Sequence, residues 1–314
     1  MLATAGAAAA LALGWYGADQ AAGQLYRRLR PWVQRQAGRA MGHPLQLGPY
    51  RGLSPWGIRT GASRFLPGPD NPSTIEADGA SVALDPLRSL QQRCWVLQIR
   101  VHQARVQLRR NSRGAYWSLG ALPPGRRPPP LGLRIALEGP AQVLVVPASG
   151  PVLRVEVAGD TTIQLRQHQL AINALVRLPQ GRQPGGQLSL RAQGQWSRRQ
   201  WQARLALRQW PLQPLVPLLP PGVQRPFAGR LDGRATGLVV LRDPGRRGPR
   251  QPAQGRSCQG DLALEAVRWR AAVLPVPLQA PRLDLRCQGQ RLQLLPANLA
   301  MAPWTGRVSG SYQL

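Results

Sequence analysis

The residues that could perform acid–base or covalent chemistry are few and scattered. The chain has 13 carboxylates and three histidines, at His43, His102 and His168. Proton-transfer catalysis needs titratable groups that converge on one point, and no recognised catalytic motif groups them in this sequence. Asp19, Asp160 and Asp232 are each isolated among many arginines, which is typical of surface partners rather than of general bases. We therefore expect a protein that is not an enzyme and that holds no metal or cofactor.

The three cysteines, Cys94, Cys258 and Cys287, form no CxxC pair and lie near no histidine cluster. This spacing argues against a zinc site and against a thioredoxin-like motif. Two interpretations stay open. Cys258 and Cys287 form a single bridge in an oxidising compartment, or all three cysteines are small buried or half-buried apolar side chains.

The net charge of +28 comes entirely from arginine, since the chain contains no lysine. GC-rich codon usage, contact with anionic lipid headgroups and nucleic-acid binding are three explanations for this excess. The arginines are spread along the whole chain and alternate with apolar residues, as in residues 188–191. A single-strand binder needs them gathered in a stripe with interleaved aromatics, so we expect no nucleic-acid partner.

The elements that must position any site are predicted to be strands. Gly (34) and Pro (32) are abundant, and from about Leu45 the chain is a series of short alternating runs between Gly and Pro. Alternation places one apolar and one polar face on each strand. The predicted apolar face consists of Leu153, Val155, Leu170, Ile172, Leu188, Leu190, Leu205, Leu207, Leu283, Leu285, Leu292 and Leu294. Pro-rich connections are predicted as loops at 122–131, 178–186, 211–226 and 242–255, with a short apolar helix over 211–219.

The N-terminal residues 2–17 are apolar and rich in alanine. We predict a membrane anchor over 1–18 that is formed by Leu2, Leu11, Leu13 and Trp15, although about 16 residues are fewer than the roughly 20 that span a bilayer. A soluble alanine-rich helix is the alternative. The arginines that follow would, taken alone, keep that side in the cytoplasm. A second helix is predicted over 19–42, with Pro31 in a first turn and Gly42 as the stop.

Several stretches together resemble the TamB family of the translocation and assembly module, especially its cyanobacterial and plastid branch. Gly42, Pro44, Leu47, Gly48 and Gly52 are similar to the family's G-x-P-V-x-L-G-x-x-x-G stretch, with leucine in place of valine. The stretches that carry the resemblance are 30–33, 41–53, 57–59, 80–87, 97–101, 229–233 and 260–314. They are spread over most of the chain and follow the family's order.

The resemblance implies a mostly β protein whose elongated, curled antiparallel sheet forms an open apolar groove behind an N-terminal membrane anchor. It implies a single-pass inner-membrane protein with its bulk, residues 43–314, in the periplasm. The implied function is outer-membrane protein assembly or secretion, together with phospholipid transport along the groove. An Omp85-type outer-membrane barrel is the implied partner, through a C-terminal part that this chain lacks, since it ends within a strand pattern.

Three alternatives to the groove stay open, and one of them, a basic nucleic-acid-binding protein, rests only on the positive charge. The same apolar face is also what an ordinary sandwich core would show, because half-buried antiparallel sheets alternate in the same way. A structural scaffold would instead bind client β-strands by pairing along exposed strand edges.

Overall fold

The computed structural model is mostly β and divides into two compact units, residues 1–146 and 147–314. This confirms the predicted fold class at the level of a mostly β chain with an N-terminal helix. The residues that the structure describes are 2–54, 57–68, 71–111, 114–117, 131–147, 152–165, 167–179, 185–198, 200–218, 230–245, 255, 257–271 and 274–313. At least half of each predicted Pro-rich loop therefore lies outside the described residues.

Unit 1 begins with a long helix, α1 (Leu2–Met41). The helix is continuous across residues 18 and 19, so the anchor and the second predicted helix are one element. Pro31 accordingly lies in the helix interior rather than in a first turn, where its ring nitrogen has no proton to donate to the Arg27 carbonyl. Gly42 follows with φ +70°, the left-handed conformation that ends a helix, as predicted.

The second half of α1 is docked on the first strands of unit 1. The Asp19 carboxylate accepts hydrogen bonds from the Tyr50 hydroxyl at 2.7 Å and from the Leu53 backbone N–H at 2.6 Å. The buried Tyr26 hydroxyl donates to the Gly48 carbonyl at 2.7 Å. Partial burial, reinforced by the hydrogen bond and the charge of Asp19, raises the pKa of Tyr50 to about 12. The phenol therefore stays protonated and donating at any physiological pH.

The strands of unit 1 form a mixed sheet. They are β1 (Leu45–Gln46), β2 (Tyr50–Ser54), β3 (Gly57–Thr60), β4 (Ser63–Phe65), β5 (Thr74–Leu84), β6 (Trp95–Arg109), β7 (Leu131–Glu138) and β8 (Ala141–Val146). Pairing is antiparallel from β1 to β6, but β7 and β8 both run parallel to β6. The expected antiparallel pairing is therefore wrong for β7 and β8, since β7 begins at Leu131 opposite Trp95, the first residue of β6, and runs in the same direction.

A short helix that sequence analysis missed, α2 (Pro86–Gln92), connects β5 to β6. Asp85 caps it, since its side chain accepts from the Arg88 N–H at 3.1 Å, and Pro86 occupies the first turn, where no backbone donor is needed. Arg93 ends the helix in the left-handed conformation with φ 49°.

Unit 2 is a nine-stranded antiparallel meander in which each strand pairs with the next along the chain. The strands are β9 (Leu153–Gln164), β10 (Gln169–Arg177), β11 (Gln187–Gln195), β12 (Gln200–Pro211), β13 (Arg230–Asp243), β14 (Ser257–Arg270), β15 (Leu278–Gly289), β16 (Arg291–Met301) and β17 (Trp304–Gln313). After β12, residues Gln213–Leu218 form a 3-10 turn, so the helix predicted there is real but shorter and tighter.

Register shifts interrupt the ladders where the strands carry one extra residue. In β12 the shift lies between Leu207 and Trp210, with Gln209 at φ 48°. In β14 it lies beside Ala266, at φ 49°. Apolar side chains occupy even positions up to Leu264 and odd positions from Val267 onward, so the extra residue keeps them on one face of the sheet.

We predict that Asp19→Ala loosens the contact between α1 and β2. The substitution removes the acceptor of two hydrogen bonds, one from a backbone N–H, and bonds to a charged group each contribute about 1.5–3 kcal/mol. Amide exchange of Leu53, measured by mass spectrometry on peptides covering β2, should accelerate at least 10-fold. Asp284→Ala, which removes an exposed carboxylate of unit 2, is the matched control. Unchanged exchange at Leu53 would contradict the role given to Asp19.

Candidate functional site: the apolar face of unit 2

The register of the meander aligns apolar side chains from all nine strands on one face, which we call the apolar face of unit 2. One row of directly opposed residues runs from β9 to β17: Val157, Val176, Leu188, Leu207, Gly237, Leu262, Leu285, Leu294 and Gly310. With neighbouring strands about 4.8 Å apart, eight intervals extend this row over about 38 Å. The row is continuous because each of its residues lies directly opposite the next one on the neighbouring strand.

A second, parallel row lies two residues along each strand. Its members are Gly159, Ala174, Leu190, Leu205, Val239, Gly260, Cys287, Leu292 and Tyr312. Leu170, Ile172 and Leu283 lie in adjoining rows of the same face, and Leu153 and Val155 continue it along β9. The structure therefore brings the twelve residues predicted from alternation onto a single surface.

On this face the exposed fraction of a side chain depends on how far the side chain extends from the sheet. Small residues such as Ala203, Ala235 and Cys258 are buried, whereas the leucines around them are half-buried. Neighbours within one sheet shield short side chains, but the tips of tall ones are shielded only by a second layer. Leucines in a two-layer core would be fully buried. The described residues of unit 2 thus leave the tops of these leucines accessible.

One end of the apolar face is covered locally. Trp210 and Leu212 are 2% and 5% exposed. The Gln213 side-chain oxygen accepts from the Leu231 N–H at 2.6 Å, which fastens the 3-10 turn to β13. This turn covers the apolar face beside Ala235 and does not cover the two rows described above.

Cys258 and Cys287 form a disulfide between the neighbouring strands β14 and β15, with their Cα atoms 5.6 Å apart. Each cysteine lies opposite a glycine in the ladder, Gly289 and Gly260 respectively, so the bridge runs diagonally across the apolar face. The sequence left open whether these two cysteines form a bridge or are separate apolar side chains. In the structure they form the bridge. Cys94, in unit 1, has no disulfide partner and is half-buried.

Four positions in the two rows are glycines, Gly159, Gly237, Gly260 and Gly310. The first three have φ between +141° and +158°, a conformation that side-chain-bearing residues rarely adopt. A Cβ at Gly260 would collide with the Leu238 carbonyl oxygen of the adjacent strand. The first three positions are low points of the apolar face that no larger residue can fill.

Polar side chains predominate on the opposite face of unit 2, and each unit contains a cavity. A cavity of about 890 Å³ in unit 2 is lined by glutamines, among them Gln164, Gln193 and Gln202, and also by Leu170 and Trp201. In unit 1 a cavity of about 770 Å³ is lined by polar side chains such as Arg59 and Arg100 and by apolar ones such as Val82 and Leu84. Both cavities therefore combine polar and apolar surface.

The titratable residues that the structure describes do not converge on one point. His43 is buried, stacks on Trp117 at 4.0 Å between ring centroids, and shares a hydrogen bond of 3.0 Å with the Leu66 carbonyl. His102 Nδ1 lies 2.7 Å from a carboxylate oxygen of Glu138, and both side chains are about half exposed. His168 lies in the turn between β9 and β10. Among the described residues, no group of three potential metal ligands comes together.

The isolated carboxylates act as local partners. Asp19 fastens α1 to β2, as described above. Asp232 accepts from the Arg230 guanidinium at 3.0 Å, and Asp160 lies opposite Asn173 in the ladder. The exposed pair of Arg286 and Asp261, at 3.0 Å, joins β15 to β14 on the polar face.

The predicted anchor residues are described only in part. Leu13 and Trp15 are 71% and 46% exposed on α1, while the side chains of Leu2 and Leu11 lie outside the described residues. Within the described part of the chain, no helix contains a stretch that is long and apolar enough to cross a bilayer.

Sequence reasoning missed the central strands of the face. Val239 and Leu241 of β13 were hidden because Leu238 and Val240 make this strand apolar on both sides. Leu262 and Leu264 of β14 were missed as well, although they alternate with Asp261, Ala263 and Glu265. No protein-family model matches the chain, and no curated protein matches it.

We predict that removing the disulfide with Cys258→Ala and Cys287→Ala together lowers the free energy of unfolding of unit 2 by about 3.5 kcal/mol. The estimate follows from the loop closed by a sequence separation of 29 residues. Urea unfolding is the measurement, and Cys94→Ala is the control. Dithiothreitol should destabilise the natural chain and leave the double variant unchanged. A natural chain with three reactive thiols would contradict the bridge.

A second substitution tests the backbone of the face. We expect Gly260→Ala to cost about 2 kcal/mol or more, because the new Cβ meets backbone in a left-handed conformation. Gly310→Ala, at a position with open space in β17, should change stability by less than about 0.5 kcal/mol. Equal midpoints for the two variants in urea would refute the close approach of β13 and β14.

Proposed function

We propose that this chain is an inner-membrane-anchored periplasmic protein that takes part in outer-membrane protein assembly and carries phospholipid along the apolar face of unit 2. In this proposal residues 1–18 hold the chain at the membrane, and the curled groove of a TamB-like sheet shelters acyl chains while headgroups stay in water. The protein acts by binding rather than by catalysis, and an outer-membrane barrel receives what it carries.

The observation that carries the proposal is the apolar face, which crosses all nine strands of unit 2 and has accessible leucine tips. A methylene that leaves water for an apolar surface gains about 0.8 kcal/mol. About ten methylenes, each with half of its surface covered, therefore gain about 4 kcal/mol before the cost of ordering the chain. An acyl chain would thus bind weakly enough to move from row to row, which transport requires.

The disulfide between Cys258 and Cys287 supports the proposed compartment. Structural disulfides persist in oxidising surroundings such as the bacterial periplasm and are rare in the cytosol. The polar face, with arginines and glutamines, supports an aqueous environment on the other side of the same sheet.

Photo-crosslinking tests the proposal on matched positions. The photoreactive residue p-benzoylphenylalanine is placed at Leu190 or Leu285 on the apolar face, and at their neighbours Arg191 or Arg286 on the polar face. After irradiation in membranes and purification, intact mass should show phospholipid adducts at the first pair, several-fold above the second. Leu190→Asp with Leu285→Asp should reduce co-purifying phospholipid, and Arg191→Asp with Arg286→Asp should not.

Other outcomes favour other functions. Adducts of equal yield on both faces, or only at Arg191 and Arg286, would refute lipid binding by the apolar face and would favour ligands of the polar face. Crosslinks to polypeptide instead of lipid would support the scaffold that pairs with client strands. The scaffold also predicts that outer-membrane protein assembly is unaffected when Leu190 and Leu285 are replaced by Asp.

A further inference from the structure

The outward side of the second half of α1 exposes large apolar side chains. Leu25, Leu29 and Trp32 are 58%, 47% and 56% exposed. Their spacing of four and three residues places them in one stripe along the helix, which we call the outer stripe. Gln36, also exposed, continues the stripe by a further turn. Three large apolar side chains in one exposed stripe mark an interaction surface.

The helix cannot turn the outer stripe inward, because its other side is occupied. Gly23 lies against the Tyr50 ring, where a Cβ would be only 3.2 Å away. Tyr26 is buried and hydrogen-bonded to Gly48, and the Arg30 guanidinium donates to the Leu47 carbonyl. The bonds from Tyr50 and Leu53 to Asp19 fix the same orientation. The stripe therefore faces away from the sheet of unit 1.

The charge beside the stripe is uniformly positive. Arg28, Arg35 and Arg39 are exposed and follow one another at intervals of seven and four residues, which places them along one flank of the stripe. Residues 20–41 contain five arginines and no Asp or Glu. An apolar stripe with a tryptophan, bordered by cations and lying in one plane, fits the interface of a bilayer with anionic lipids.

We propose that the outer stripe lies in the surface of an anionic phospholipid leaflet, with Leu25, Leu29 and Trp32 below the headgroups and Arg28, Arg35 and Arg39 among the phosphates. The interaction orients unit 1 against the membrane through the docked side of α1. It goes beyond the proposed function, since it involves neither the apolar face of unit 2 nor a spanning segment.

Spin labels at two positions of the full chain, in a Cys94→Ser background, separate this interaction from simple anchoring. Gln36→Cys places the label on the stripe without removing an apolar side chain, and Gln20→Cys places it away from the stripe but nearer to residues 1–18. Vesicles of phosphatidylcholine alone, and with one quarter phosphatidylglycerol, are the probes. Accessibility to a nickel chelate in water, relative to oxygen, measures the depth of each label.

With phosphatidylglycerol present, the Gln36 label should lose at least 5-fold in nickel accessibility, and the Gln20 label should lose less. Replacing Arg28, Arg35 and Arg39 together by Gln should lower the apparent affinity for these vesicles, followed at the Gln36 label, by roughly 100-fold, at about 1 kcal/mol per arginine near the surface. Leu29→Asp should abolish the protection. Hydrogen exchange of Leu53 verifies that α1 stays docked in each variant.

Three results would overturn the proposal. The first is a Gln20 label that lies deeper than the Gln36 label, which would mean that the N-terminal segment alone holds the chain at the bilayer. Equal protection on neutral vesicles would remove the role of the arginines. Protection of the Gln36 label without vesicles would mean that protein covers the stripe. None of these results bears on lipid crosslinks at Leu190, so the two proposals fail separately.

Discussion

Cross-strand register is the constraint on which unit 2 depends. Because side chains alternate with a period of two, a slip of one residue in any ladder would move the leucines of that strand to the polar face. Eight successive antiparallel ladders hold Leu188 opposite Leu207 and Leu262 opposite Leu285, and the apolar rows exist only because all eight agree. The disulfide between Cys258 and Cys287 fixes one of these ladders covalently.

The extra residues in β12 and β14 serve the same constraint. Gln209 and Ala266 adopt left-handed conformations that are uncommon for residues with side chains. Each allows one unpaired residue, after which the apolar positions change from one parity to the other. Trp210 and Val267 therefore stay on the face that Leu205 and Leu264 occupy.

Alternation in the sequence was sufficient for the strands and for the twelve face residues, because each lies in a run such as residues 187–195 with one consistent period. It was insufficient at β13, where apolar residues on both sides conceal the period. It also missed α2, although Asp85 and Pro86 are the residues that begin a helix. Helix α2 has only seven residues, which is too short for the 3.6-residue repeat of apolar side chains to be recognised in the sequence.

Other features depend on contacts that no local pattern contains. The docking of α1 rests on Asp19 reaching Leu53, 34 residues away. The bridge between the two cysteines requires β14 and β15 to be neighbours in a defined register, which spacing alone leaves open. The parallel pairing of β7 and β8 with β6 is likewise a long-range arrangement that the strand pattern does not encode.

The meander of unit 2 has a consequence for its origin and its folding. Every strand from β9 to β17 bonds to its sequence neighbours, so contacts are local and loop-closure entropy is small. Such a sheet can form progressively, hairpin upon hairpin, while synthesis proceeds. Duplication of one hairpin would lengthen the apolar rows by two strands without altering any other pairing, so selection can adjust the span of this surface in steps of about 10 Å.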